Sequence, residues 1–104
     1  DPTAHAEILC IREASKKIKN ERLIDCTIFS TLEPCAMCSS AISLARVKRL
    51  FFGAYDHKTG AVESGIKYFQ TSSCNHKPEF YGGFKEKDSE SILNSYFKMK
   101  RVKY

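Results

Sequence analysis

The chain has 104 residues, enough for one domain with a single core. Hydrophobic residues make up 42% and charged residues 28%, the balance of an ordinary globular protein, and no apolar run approaches the roughly 18 residues that would span a membrane. The net charge of +5 is concentrated late, in "KMKRVKY" (98–104), which leans toward an anionic partner, although cations also suit the carboxyl end of a helix.

In chain order, "AHAEILCIREASKKIK" (4–19) carries Ala4, Ile8, Ile11, Ala14 and Ile18 at helical spacing, with Asp1-Pro2-Thr3 as a capping signal ahead of it. "CTIFST" (26–31) is short, β-branched and aromatic, and reads as a strand. Residues 35–46, "CAMCSSAISLAR", place Cys35, Cys38, Ile42 and Ala45 on one stripe and Ser39, Ser40 and Ser43 opposite, predicting an amphipathic helix that begins at the first cysteine. "RLFFGA" (49–54) has the look of a strand covered on both faces. From 55 to 78 the pattern is irregular, with a turn around Lys58-Thr59-Gly60. "EFYGGF" (79–84) reads as a strand weakened by two glycines, and 89–103 returns to helical spacing through Ile92, Tyr96 and Met99.

Helix, strand, helix, strand implies a parallel pair joined by a crossover, hence one α/β domain over 1–104. Few strands are visible, and a strand covered on both faces should have neighbours on both sides. The expectation is therefore either a very small sheet or an amino-terminal portion lying outside this sequence.

"TLEPCAMC" (31–38) raises the chemical question. A C-x-x-C pair alone is open to three readings: a redox couple, half of a metal site, or two inert buried thiols. The five cysteines (10, 26, 35, 38, 74) are an odd number, and "DPTAH" has neither the basic nor the apolar region of a secretory signal; both favour a reducing cytoplasm. There a close pair is more often catalytic or metal-binding, while Cys10, Cys26 and Cys74 read as small apolar residues. Two cysteines in the first turn of a helix can grip one ion as thiolates, and a catalytic zinc site then needs one more protein ligand. His5, His57 and His76 are the candidates, and His5 also lies at a helix start. Glu7 falls in the sector of Ile11, Ala14 and Ile18, which should face the core, where a carboxylate is costly unless paired, protonated or near a metal. His5 is about 200° round from Glu7 on an ideal helix, which suits one ligand and one acid/base with a relaxed first turn.

The set His5, Glu7, Pro34, Cys35 and Cys38 reads H-A-E … P-C-x-x-C, the pattern of zinc nucleobase deaminases. With "DPTAHAEI", "RLID", "FGAYDHKTGA" and "SYFKMKR" in order, the chain resembles the TadA-type tRNA adenosine deaminases of bacteria, within the cytidine/deoxycytidylate deaminase superfamily. That resemblance implies a three-layer α/β/α sheet whose amino-terminal helix and hairpin lie outside this sequence. It implies a zinc ion on His5, Cys35 and Cys38, a zinc-activated water, Glu7 as proton shuttle and the Cys35 backbone N–H as oxyanion donor. Its implied substrate is the wobble adenosine of a tRNA anticodon stem-loop, converted to inosine by a cytoplasmic homodimer. Ala6, Pro34, Asp56, Lys58, Phe97, Lys98 and Arg101 are the implied substrate contacts. Two alternatives stay open: deamination of a free base or nucleotide (guanine, cytosine, deoxycytidylate), and an inactive zinc-stabilised fragment.

Members of the family carry an amino-terminal helix and hairpin, including an asparagine that reads the purine, and this sequence shows neither. His57 stands in the Asp-x-Lys-Thr-Gly loop where a small residue is usual. The expected outcome is that the 104-residue chain binds zinc but deaminates weakly or not at all. Equal turnover by this chain and by one extended at its amino end overturns that expectation.

Overall fold

A computed structural model describes residues 1–85 and Lys87. Helix α1 (Ala6–Ile18) is followed by strand β1 (Thr27–Leu32), helix α2 (Ala36–Leu44), strand β2 (Arg49–Ala54), one 3-10 turn (Tyr68–Gln70) and strand β3 (Glu79–Tyr81). The strands form a parallel sheet in the order β1-β2-β3, with Phe29 opposite Phe51 and Phe51 opposite Tyr81. This is the expected α/β architecture, and β2 has its two neighbours within the described chain.

Alternation along the strands sorts the side chains into two faces. One face supplies Ile28, Leu50 and Phe52, which join Leu23, Ile42, Ala45, Val47, Val62 and Phe69 in the core, with Ile11 and Ala14 of α1 packed against it. Both helices therefore lie on that side of the sheet. The other face carries a row of rings. Phe29 and Phe51 stack at 5.1 Å, Phe51 and Tyr81 at 5.0 Å, and Phe84 leans on Phe29 and Phe51. Phe29 is 65% exposed there. A parallel sheet is ordinarily covered on both faces, so these rings are the surface that a third layer would cover. Among the described residues the architecture is two-layered; the expected helix 89–103, with Ile92, Tyr96, Phe97, Lys98, Met99 and Arg101, lies outside them.

Several local expectations are corrected. Asp1 does not cap α1: its carboxylate accepts hydrogen bonds from the backbone N–H and hydroxyl of Thr3, closing a turn ahead of the helix, and His5 is the flanking residue. Ile18, in the last turn of α1, is 52% exposed although it falls on the predicted core stripe. Cys10 is likewise exposed. On the serine face of α2, Ser39 and Ser43 are buried and Ser40 is half-buried. Ser39 donates to the Pro34 carbonyl, Ser43 donates to the His76 carbonyl at 2.7 Å, and Leu44 takes the exposed position. Small hydroxyl side chains can be buried wherever a carbonyl accepts from them. Strand β2 is open on one side at Arg49 and Phe51, and β3 stops at Tyr81, since Gly82 approaches the Phe52 and Tyr55 rings too closely for any side chain.

This burial pattern makes a direct prediction. Ile42→Ala should cost about 2–5 kcal/mol in urea denaturation, whereas Ile18→Ala should stay within about 0.5 kcal/mol. Equal costs would contradict the orientation of the two helices.

Candidate metal centre

Two ligand candidates stand where a helix is about to begin. His5 flanks α1 and Cys35 flanks α2, each with extended backbone (φ −67°, ψ 154° and φ −73°, ψ 178°). Because the helices lie side by side, their amino ends converge at the carboxyl end of β1. His5 Nδ1 lies 3.4 Å from Cys38 Sγ and 3.6 Å from Cys35 Sγ, and the three ligand atoms are all within 4.8 Å of one another. Tetrahedral zinc, with bonds of about 2.3 Å to sulfur and about 2.05 Å to nitrogen, sets such atoms about 3.6 Å apart. The donor set and its spacing fit zinc. No other His, Cys, Asp or Glu among the described residues joins the cluster, which leaves a fourth coordination position without a protein ligand.

Cys38 is fully buried. Burial pushes its thiol pKa up, and the hydrogen bond and negative charge of the Glu7 carboxylate beside it push further, followed by Cys35. Glu7 is half-buried in the first turn of α1 and so reaches the ligand cluster while His5, outside the helix, supplies the imidazole. Negative groups gathered round one buried sulfur favour a cation among them, and a coordinated metal reverses the shift by stabilising thiolate.

The other histidines are elsewhere. His76 Nε2 donates to the Val47 carbonyl at 2.8 Å, and His57 is exposed and stacked on Tyr55. Ala6 opens α1 at the surface beside His5, and Pro34 is buried with its carbonyl accepting from Ala61 N–H. Lys58 is exposed. The Asp56 carboxylate faces its own turn. Partial burial raises its pKa, but the Thr59 hydroxyl, the N–H groups of Thr59 and Lys58, and nearby His57 outweigh that and hold it below the usual carboxylate range.

One acidic residue is more tightly held than any of these. Glu33 is 2% exposed. One of its oxygens accepts from Asp56 N–H at 3.1 Å and the Ser64 hydroxyl at 2.9 Å. The other accepts from the N–H groups of Val62, Glu63 and Ser64 at 3.0, 2.7 and 2.9 Å. Burial alone would raise its pKa, yet these donors bring the net shift downward. Sequence reasoning assigned Glu33 no role. The available signal was its place, an acid closing a strand directly before Pro-Cys, but the backbone donors that satisfy it carry no sequence signature.

Comparison with known proteins agrees with this geometry. The MafB19-like deaminase family matches residues 1–101. A tRNA-specific adenosine deaminase of Agrobacterium fabrum is 49% identical over 102 residues, 98% of this chain and 67% of its own length. The chain thus spans about two thirds of that relative. A solved structure from a study of A-to-I editing by tRNA:A34 deaminases at the wobble position of transfer RNA superposes with a TM-score of 0.86 at 50% identity, over 88% of this chain and 67% of that one. A guanine deaminase from Nitrosomonas europaea shares the fold at TM-score 0.73 and 19% identity, over 90% of this chain and 57% of its own. Fold, ligand cluster and sequence similarity lead to one assignment: the chain belongs to the MafB19-like deaminase family.

Proposed function

We propose that this chain carries the catalytic domain of a tRNA adenosine deaminase, which hydrolyses the wobble adenosine of an anticodon stem-loop to inosine and ammonia. The observation that carries the reading is the meeting of His5, Cys35 and Cys38 with Glu7 beside them, in a chain 49% identical to a tRNA-specific adenosine deaminase. His5, Cys35 and Cys38 would hold zinc. The chemistry a bound zinc supplies is Lewis acidity, which brings water to hydroxide near neutral pH.

Glu7 is the acid/base. Standing beside the Cys38 sulfur, its carboxylate takes the proton of the attacking water and returns it to the purine ring nitrogen and then to the departing amine. Oxygen adds at C6 and the exocyclic nitrogen leaves as ammonia. The Cys35 backbone N–H, at the start of α2, faces developing negative charge with the helix dipole behind it. Ala6, Pro34, Asp56 and Lys58 border the same end of the sheet and are the substrate contacts within the described residues. Anticodon-loop recognition by stacking and phosphate contact suits the basic carboxyl-terminal segment. The working state is a cytoplasmic homodimer.

Glu7→Ala should lower inosine formation in an anticodon stem-loop by about 10²–10⁴-fold or more, while elemental analysis still finds one zinc per chain. Cys38→Ala should lose the metal and the activity together. Unchanged turnover in Glu7→Ala removes Glu7 from the mechanism. Conversion of free guanine or cytidine, with none of the stem-loop, removes the RNA reading.

A further inference from the structure

Three consecutive residues lead from β1 into α2, and each makes a different attachment. Glu33 takes five hydrogen bonds from the 56–64 segment, Pro34 accepts from Ala61 N–H at 2.9 Å, and Cys35 belongs to the ligand cluster and bridges Gly60. Glu33 N–H itself donates to the Ala54 carbonyl, so the residue is also tied to the end of β2. The 56–64 segment has little regular structure of its own. The bond from Gly60 N–H to the Asp56 carbonyl and the Asp56 turn are local, and neither fixes where the segment lies. Beside the Ala61–Pro34 bond and the Cys35–Gly60 bridge, most of the ties that set its position fall on one carboxylate. Gly60 passes so close to that carboxylate that a Cβ there would stand 2.6 Å from Glu33 Oε1.

We infer that Glu33 is a positioning residue: its buried carboxylate docks the 56–64 segment against the metal centre, so that Asp56 and Lys58 form a fixed wall of the substrate pocket. The inference rests on the deaminase reading for its consequence but not for its structural content. A carboxylate serves here where a neutral side chain would not, because it only accepts, and every group pointed at it is a donor. Charge-assisted bonds to backbone N–H are also stronger than neutral ones. Glutamine in its place would turn an NH2 group toward donors on one side and leave some of the 62–64 amides or Asp56 N–H without an acceptor.

His5 and Cys38 are not held by Glu33, and Cys35 is also fixed by the start of α2, so the metal site should outlast the loss of the clamp. The test compares wild type with Glu33→Gln by zinc content, by hydrogen exchange at the Val62, Glu63 and Ser64 amides, and by kinetics on an anticodon stem-loop. The expected result is one zinc per chain, exchange at those amides faster by roughly tenfold or more, and KM raised by about tenfold with kcat changed much less. Should Glu33→Gln fail to fold, Ser64→Ala, which removes one donor, must give the same split at smaller amplitude. Unchanged exchange at the three amides overturns the clamp whatever the activity. Faster exchange with unchanged KM overturns the wall. A wild-type chain extended at its amino end that leaves the stem-loop untouched, yet whose three amides are deprotected by the substitution, refutes the deaminase reading and leaves the clamp standing.

Discussion

The contact between His5 and Cys38, 33 residues apart in sequence, exists because two helices run the same way across one face of a parallel sheet. Their amino ends meet at the ligand cluster, and their carboxyl ends meet as well, where Ser15 and Lys16 line a common groove with Ala45 and Arg46. In an α/β sheet the carboxyl ends of the strands are the usual seat of ligands, since helix starts bring unpaired N–H groups and positive dipole ends there. Here those starts carry the imidazole and the sulfurs, so the site depends on Ile11 and Ala14 of α1 packing correctly against the core around Ile42 and Val47.

Electrostatics adds a second constraint. Cys38 is enclosed, and Glu7 and Cys35 stand beside it, so each further negative charge at the sulfur is disfavoured. Such a group of acids is poorly arranged for a redox couple, whose attacking thiol needs a lowered pKa and access. It is well arranged for a divalent cation with an open coordination position, because the same carboxylate that burdens the thiol lies within reach of whatever fills that position.

Much of this could be read from residue types and spacing. Among the described residues periodicity predicts both helices and all three strands to within a few residues, and H-A-E with P-C-x-x-C singles out the three residues that meet as a candidate metal cluster. The errors share a cause. Ser39 and Ser43 stand opposite the apolar stripe of α2 because they are polar, yet both are buried, with the carbonyls of Pro34 and His76 accepting from their hydroxyls. Ile18 falls on the predicted core stripe because it is apolar, yet it is exposed. Glu33 was left without a role because its partners are backbone N–H groups, which every residue but proline has. Polarity patterns report what a side chain prefers; they do not report which backbone groups the tertiary fold leaves to be satisfied.

That last point explains the arrangement of Glu-Pro-Cys as a unit. A loop beside a catalytic centre must be held without a regular ladder of its own, and its amide groups must find acceptors wherever they are buried. A single carboxylate with two oxygens can collect amides from both ends of the 56–64 segment, as Glu33 does with Asp56 at one end and Val62 to Ser64 at the other. Proline next in the chain restricts the backbone between that clamp and the ligand, fixing φ at one of the few torsions that could relax. Only Pro34 stands between the residue that holds the loop and the first cysteine of the candidate metal cluster, which keeps loop and cluster in register through the chain itself.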